Sequence, residues 1–585
     1  MIFVGIFMKT LLAYFKNYKG RSVLGPLFKL LEATFELLVP IVVGLIVDKG
    51  IARGDTAYIV WMCALLALFG LVGLLFSVTA QYFAARTATG VSADIRKDLF
   101  RKIQSLSYRD IDRLGASTML TRMTSDVDRF QSGVNLALRL FLRSPFIVFG
   151  AAITACFIDA SLVWVFFLAI AALAVVVFAV MFICMPLYKF AQENLDKVLL
   201  STRENLTGAR VLRAFCREEG EKELFNERNE RLNKSRKFVG AIAAITNPLT
   251  FVLINLAIIL LLYTGALRVD GGMLSQGSVL ALYNLMGQIL VELIKLANLI
   301  VTVTKAAACG GRISAVLTMQ PSLQCIKDGD ETEKNGSADN GFVTFDNVTM
   351  RYTENADAAL SDLSFTVKRG ETVGVIGGTG SGKTTLVHLI PHFYDIQSGV
   401  ILVDGKDVRL QSEQENLRKR IGIVPQKAVL FKGTVRENLL WGKPDATDEE
   451  LTSALNIAQA ADFIREKGGL DAPVMQGGKN FSGGQKQRLT IARALVRKPD
   501  ILILDDSSSA LDYATDAALR QQLRTLDTTT FIVAQRASSV RDADKIIVLD
   551  DGKAVGIGTH ETLLKTCDVY REIYRSQYGE GGEAV

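Results

Sequence analysis

Gly377, Gly378, Thr379, Gly380, Ser381, Gly382, Lys383 and Thr384 have the types and spacing to hold a polyphosphate. They follow the apolar run TVGVI and precede the helical pattern TLVHLI, which opens at Thr385. Strand, glycine-rich loop and helix are the context that a phosphate cradle requires. Glycines at 377, 380 and 382 let backbone N–H groups crowd around phosphate oxygens, while Lys383 reaches the outer phosphates and the Thr384 hydroxyl ligates magnesium at a helix N-terminus. A second motif lies at a compatible distance: four apolar residues, Ile501 to Leu504, end at Asp505. A carboxylate at the tip of a buried strand can hold a hydrated magnesium ion.

Between these motifs lies FSGGQKQR, residues 481 to 488. A glycine pair at a helix start offers N–H groups to an anion. With this segment the chain resembles the ABC transporters, and the resemblance covers essentially its whole length; Ser482, Gly483, Gly484 and Gln485 carry the most specific motif. The resemblance implies ATP and Mg²⁺ as ligands, with the signature loop facing the γ-phosphate of ATP held by the opposite subunit. It further implies Tyr352 as the aromatic that stacks on adenine, Gln426 in VPQ as the loop glutamine beside the metal, and Ser509 to Asp512 (SALD) as the loop that crosses the dimer interface. Metal ligation would then fall to Thr384, Gln426 and Asp505.

Three positions depart from the family pattern. The family places a glutamate after the magnesium aspartate, to polarise the attacking water, and a histidine near the cassette's end, against the γ-phosphate. Here the first position is Asp506, one methylene shorter, and the second is Gln535, which cannot titrate. A displacement of about 1 Å in a catalytic group can cost on the order of 100-fold. No histidine nearby in sequence substitutes, because the chain's three are His388, His392 and His560. Gln476 stands where the family usually has a glutamate that signals to the coupling helices.

The elements around this engine read as membrane spans. The chain has 585 residues, 49% of them hydrophobic, and a net charge of +6, which calls for no nucleic-acid partner and suits basic loops on a membrane's cytoplasmic side. Its seven cysteines show no metal or redox spacing. Six apolar stretches of spanning length fill the front half, roughly 22 to 47, 57 to 83, 138 to 158, 162 to 187, 243 to 268 and 275 to 303. The long loops 84 to 137 and 188 to 242 are rich in Lys and Arg, so they, the N-terminus and the cassette belong in the cytoplasm of a multi-pass protein of the cell membrane. Ahead of the first span, MKTLLAYFKNYKG suggests an amphipathic helix lying at the lipid interface, and Met8 is an alternative start.

The expected organisation is an interfacial elbow helix at 1–20, an α-helical transmembrane domain of six spans at 21–320, a linker at 321–341 and an α/β P-loop ATPase domain at 342–585. By resemblance, short coupling helices turn the intracellular loops around Ile111 to Ser117 and Thr207 to Leu212.

Polar residues inside the spans mark where a substrate could bind. Glu32 and Glu36 share a helical face and could meet a cationic amphiphile; the alternative is a Lys29–Glu32 ion pair and a cavity-facing Glu36 with no ligand role. Asn284, Gln288 and Glu292 recur at four-residue spacing and, with Lys295 and Asn298, form a polar stripe that lines the pathway or packs between helices.

Impaired hydrolytic residues beside an intact signature resemble the degenerate subunit of bacterial heterodimeric multidrug exporters. The implied partner is a homologous half-transporter that brings the glutamate and histidine. The expected function is ATP-driven export of small amphiphilic compounds by that pair, within a lipid bilayer. Export of a peptide or lipid, and an ATP-binding regulatory subunit that transports nothing, remain the alternatives.

Overall fold

The computed structural model describes residues 10–323, 341–353, 356–410 and 414–578. Most of the expected 321–341 linker, the possible start at Met8 and the first nine residues of the elbow helix lie outside these. The chain divides into two compact units: residues 1–104 with 115–319, and residues 105–114 with 320–585.

In the first unit six helical runs are long and apolar enough to cross a membrane: α1 (Thr10–Ile51), α2 (Thr56–Gln104), then, beyond a short helix α3 (Tyr108–Leu114) that belongs to the other unit, α4 (Ala116–Ile158), α5 (Ala160–Thr207), and, after the short α6 (Ala209–Ala214), α7 (Glu218–Asp270) and α8 (Gln276–Leu317). A helix satisfies every backbone group within itself, which is why apolar sequence in lipid adopts it. Each run is longer than its apolar stretch. Leu37, Ile147, Phe166, Leu282, Leu285 and Ile289 form a buried core, while Trp61, Leu71, Leu75, Phe157 and Phe182 face outward as lipid-facing residues do.

The described start of α1 corrects one expectation. Leu11 is buried with Val91, Ile95, Leu99 and Phe130, and the Tyr14 and Tyr18 hydroxyls donate to Asp98 (2.9 Å) and Asp94 (3.1 Å) on α2. Its apolar face therefore docks on protein, where the pattern had suggested lipid.

The coupling turns are also displaced. The first expected turn, Ile111 to Ser117, is replaced by α3 three residues earlier, because Gly115 adopts φ +74° and separates it from α4. Asp110 fixes its start by accepting from the Ser107 amide and hydroxyl and from the Ser322 amide; burial acts to raise its carboxyl, but these hydrogen bonds prevail and hold it below the usual range. The second, expected at Thr207 to Leu212, is α6, two residues later.

The second unit carries β1 (Val343–Met350), β2 (Leu360–Val367), β3 (Thr372–Gly377), helix α9 (Lys383–Leu389), β4 (Ser398–Val403), β5 (Ile421–Val424), α10 (Gly483–Val496), β6 (Ile501–Asp505), α11 (Tyr513–Leu523), β7 (Thr529–Val533), β8 (Lys545–Asp550) and β9 (Lys553–Gly558). Six strands form a sheet in the order β9-β8-β3-β7-β6-β5, parallel except at the β8/β9 edge. Strands β2, β1 and β4 form an antiparallel sheet with Lys406–Asp407 at its edge. In the parallel sheet β6 and β7 are buried at every residue, as strands covered on both faces are. Ligands of such sheets bind outside the carboxyl ends of the strands, where Gly377 and Asp505 sit.

Candidate functional site

The nucleotide site is built at the end of β3. Gly382 has φ +95°, and a side chain there would meet the Ala359 carbonyl at 2.5 Å; one at Gly377 would meet the Leu549 carbonyl at 2.1 Å. Glycine is therefore required at both turns. Lys383 folds over the loop, its Nζ donating to the carbonyls of Gly377 (2.9 Å) and Gly378 (2.5 Å). The Ser381 Oγ is buried without a hydrogen-bond partner inside the same loop. A phosphate oxygen there would satisfy it, so the residues present fit the anion.

Thr384 and Asp505 meet at 2.8 Å, Oγ1 donating to Oδ1, which places the two expected metal-binding oxygens side by side. Burial pushes the Asp505 carboxyl up, and burial pulls the Lys383 ammonium down despite the nearby aspartates. Each is a charge that a bound counter-charge would stabilise. Gln426, assigned to the same metal, instead points its Nε2 at Asp506 Oδ2 (3.3 Å).

Asp506 stands at φ +47°, a left-handed conformation in which aspartate is enriched, and its amide donates to the Val533 carbonyl (3.0 Å). Its Oδ2 accepts from Gln426 and also from Gln535 Nε2 (3.1 Å). Gln577 braces Gln535 in turn by donating to its carbonyl (2.8 Å). The two unusual residues of the sequence thus touch each other. One further histidine comes closer than expected: His388 Nε2 is 3.8 Å from Asp505 Oδ2. It lies one helical turn beyond Thr384 on α9, stacked on Tyr394. The site that Gln535 occupies has no histidine.

Tyr352 stands beside the loop with its hydroxyl 2.8 Å from Thr385 Oγ1 and its ring edge-on to Tyr394. The signature loop is ordered by a capping box, in which Ser482 and Gln485 each bind the other's backbone N–H at the head of α10. Gly484 sits where an added side chain would meet the Ala510 carbonyl at 2.9 Å, and Asp512 caps α11 through the Thr515 amide (3.1 Å).

The membrane carboxylates gather elsewhere. Glu36, Asn284, Gln288 and Glu292 line one cavity of about 450 Å³ with Val39, Pro40, Val43, Gly287 and Val291. Glu32 is not among them: it pairs with Lys29 at 2.5 Å, and Lys29 also donates to Ser77. Sequence reasoning missed Arg143. Its guanidinium bridges Glu36 (2.6 Å) and the buried Glu292 (2.6 Å), and Glu292 also accepts from Ser144 (2.8 Å) and Lys295 (2.7 Å). Pro145 interrupts the helical run so that it restarts at Arg143. The available signal was a pair of arginines, Arg139 and Arg143, at the start of an apolar stretch.

A nucleotide cradle on a parallel sheet, following six spanning helices, defines an ATP-driven membrane transporter. Residues 22–293 match the model of the ABC transporter transmembrane region, and residues 360–509 that of the ABC transporter. The chain is 37% identical over 571 residues to an uncharacterized ABC transporter ATP-binding protein of Mycobacterium tuberculosis, covering 96% of this chain and 97% of that one. It is 32% identical to the "Putative multidrug export ATP-binding/permease protein" of Bacillus subtilis (97% and 99% covered) and 31% identical to the ATP-dependent lipid A-core flippase of Desulfotalea psychrophila (88% and 89%). A bacterial Atm1-family ABC exporter solved with ATP bound shares the fold, with a TM-score of 0.80 at 24% identity over 97% of this chain and 99% of that one. The chain belongs to the ABC transporter family. It is a multi-pass membrane protein with a cytoplasmic ATPase domain that hydrolyses ATP to drive transport.

Proposed function

We propose that the chain is one half of a heterodimeric exporter of small amphiphilic compounds, with a slow ATP site on its own phosphate loop and a working signature loop lent to its partner. The observation that carries this reading is the Asp506–Gln535 contact. A shortened carboxylate held by two side-chain amides, Gln426 and Gln535, has one oxygen occupied and no histidine beside it. Such a group is poorly placed to polarise water, whereas the Ser381, Lys383 and Gly382 cradle is complete. ATP is therefore held but cleaved slowly here. Magnesium, held by Thr384 and Asp505, would supply charge neutralisation to the phosphates.

An intact, ordered signature loop on the same chain supports a partner that uses it. Leu206, Val211 and Phe215, in and around α6, and the stacked pair Phe431 and Trp441 on the cassette are exposed apolar surfaces that a second half-transporter would cover. The cavity, apolar on Val39, Pro40, Val43 and Val291 and polar on Glu36 and Asn284, suits an amphiphile. The flippase relative favours lipid as a second reading of that same cavity. ATPase activity of the purified chain is the test. Little turnover alone and at least about tenfold more with a co-expressed homologous half carrying glutamate and histidine is expected; equal turnover in both preparations contradicts the heterodimer.

A further inference from the structure

Near the end of the chain, helix α12 (Asp568–Tyr578) is seated on the cassette by its apolar side. Tyr570 is fully buried, Ile573 and Tyr574 pack on the same core, and Arg571 donates to the carbonyls of Leu564 (2.9 Å) and Lys565 (2.9 Å) just before the helix. That seat carries Gln577, in the last turn, to the segment that follows β7. Gln577 Nε2 donates to the Gln535 carbonyl (2.8 Å), and Gln577 Oε1 accepts from the Ala537 amide (2.8 Å). The two contacts assign the two ends of the side-chain amide.

Ala537 opens a short helix, Ala537–Val540, to which the preceding residue, Arg536, gives no side-chain cap. A helix start leaves amides without partners, and Gln577 answers one of them from outside. One carboxamide thus spans Arg536 and ties the backbone on both sides of it, while the Arg536 guanidinium lies over the Tyr513 ring (4.9 Å to its centre). The consequence falls on Gln535. A long side chain keeps its tip in one place at a cost in rotamer freedom, which is lower when the backbone it leaves is already fixed. With that backbone clamped, Gln535 Nε2 stays on Asp506 Oδ2 (3.1 Å), the oxygen that Gln426 also approaches (3.3 Å). Without the clamp, Oδ2 is released more of the time.

We infer that Gln577 is a positioning residue for ATP cleavage: through Gln535 it keeps Asp506 engaged and so helps to hold the site on this chain's phosphate loop slow. This rests on the proposed slow site and adds the element that enforces it, a helix more than thirty positions further along the chain.

The test uses the full-length chain in lipid nanodiscs, paired with a co-expressed homologous half whose catalytic glutamate is changed to glutamine, so that only this chain's loop is read. Single-turnover cleavage of γ-labelled ATP gives a rate and the ATP concentration at half-maximal rate. Gln577→Met keeps the length of the side chain and removes both hydrogen bonds. It should raise the rate about threefold and leave the half-maximal concentration unchanged, because a released Asp506 oxygen affects attack on the phosphate and not the binding of ATP. A merely structural role would lower the rate or weaken ATP binding. Hydrogen exchange should show the Ala537 amide losing protection in the same variant. Ser576→Ala is the control: its hydroxyl donates to the Ile573 carbonyl within α12 (2.8 Å), so neither reading should change. A Gln577→Met rate that is unmoved or lowered, a shifted half-maximal concentration, an Ala537 amide that keeps its protection, or an equal gain from Ser576→Ala overturns the inference and leaves the slow site standing. Fast cleavage by the unaltered chain overturns both.

Discussion

The phosphate loop and the membrane charge cluster both handle charge, and they do so in opposite ways. Around Gly377 to Thr384 the backbone supplies the donors, the side chains that matter are contiguous in sequence, and Ser381 Oγ is left waiting for an anion. Around Arg143 the side chains neutralise one another, with Glu36, Glu292, Ser144 and Lys295 drawn from three spanning helices. The first site is open to a charged ligand; the second is closed on itself except along one wall. A binding site for ATP can thus be strongly charged, whereas a pathway through lipid must keep its own balance.

That contrast predicts effects of different size. The largest should come from the signature loop, which on the proposed reading serves a site on the other subunit. Gly484→Val forces a side chain against the Ala510 carbonyl and disturbs the N–H groups at the head of α10, so ATPase of the assembled pair should fall by about 100-fold. Lys383→Ala should cost the pair much less turnover while weakening nucleotide occupancy on this chain, which photolabelling with an azido-ATP would read. Equal losses from the two changes would remove the distinction between lent and owned parts.

Next in size is Arg143→Leu, which leaves Glu292 buried with Lys295 as its one cationic partner beside the Ser144 hydroxyl. Breaking a buried pair by deleting one partner costs about 3–5 kcal/mol, so thermal unfolding in detergent should show a clear loss. Arg143→Leu with Glu292→Leu should recover part of it, since the charges then left unpaired, Glu36 and Lys295, are about 40% exposed and none is fully buried. A single change with no effect would mean that the cluster is solvated and not self-balanced. Smaller still is Tyr108→Ala in α3, which removes a ring stacked 4.3 Å from Phe393 and should destabilise the cassette unit by about 1 kcal/mol. No change in unfolding temperature would show that the stack contributes nothing to the docking of α3.

The same contrast explains what the sequence made legible. The cradle, the strand ending at Asp505 and the signature helix depend on neighbours in the chain, and their elements followed from local pattern. The Lys29–Glu32 pair was also readable, because three residues on one helix are always adjacent. Arg143 was not: it meets Glu36 across 107 positions and Glu292 across 149, and no spacing rule connects them. The first coupling turn was placed three residues off because its boundaries are set by a left-handed glycine at 115 and by Asp110 accepting from Ser322, far along the chain. The contact of Asp506 with Gln535 lies between: both were conspicuous one at a time, yet only the adjacent ends of β6 and β7 bring them to 3.1 Å.

Single-turnover ATP hydrolysis at this chain's own phosphate loop addresses the proposed slow site itself. In a pair whose partner glutamate is changed to glutamine, the competent site is silenced and only this one is read. The unaltered chain should retain ATP over many turnover times of the intact pair. Asp506→Glu should restore reach but leave the γ-phosphate without a histidine, and adding Gln535→His should raise the rate by at least about tenfold over the unaltered chain, non-additively, because both groups act on one phosphoryl transfer. Rapid hydrolysis by the unaltered chain, or no gain from the double change, would contradict a block set by the geometry of Asp506 and Gln535.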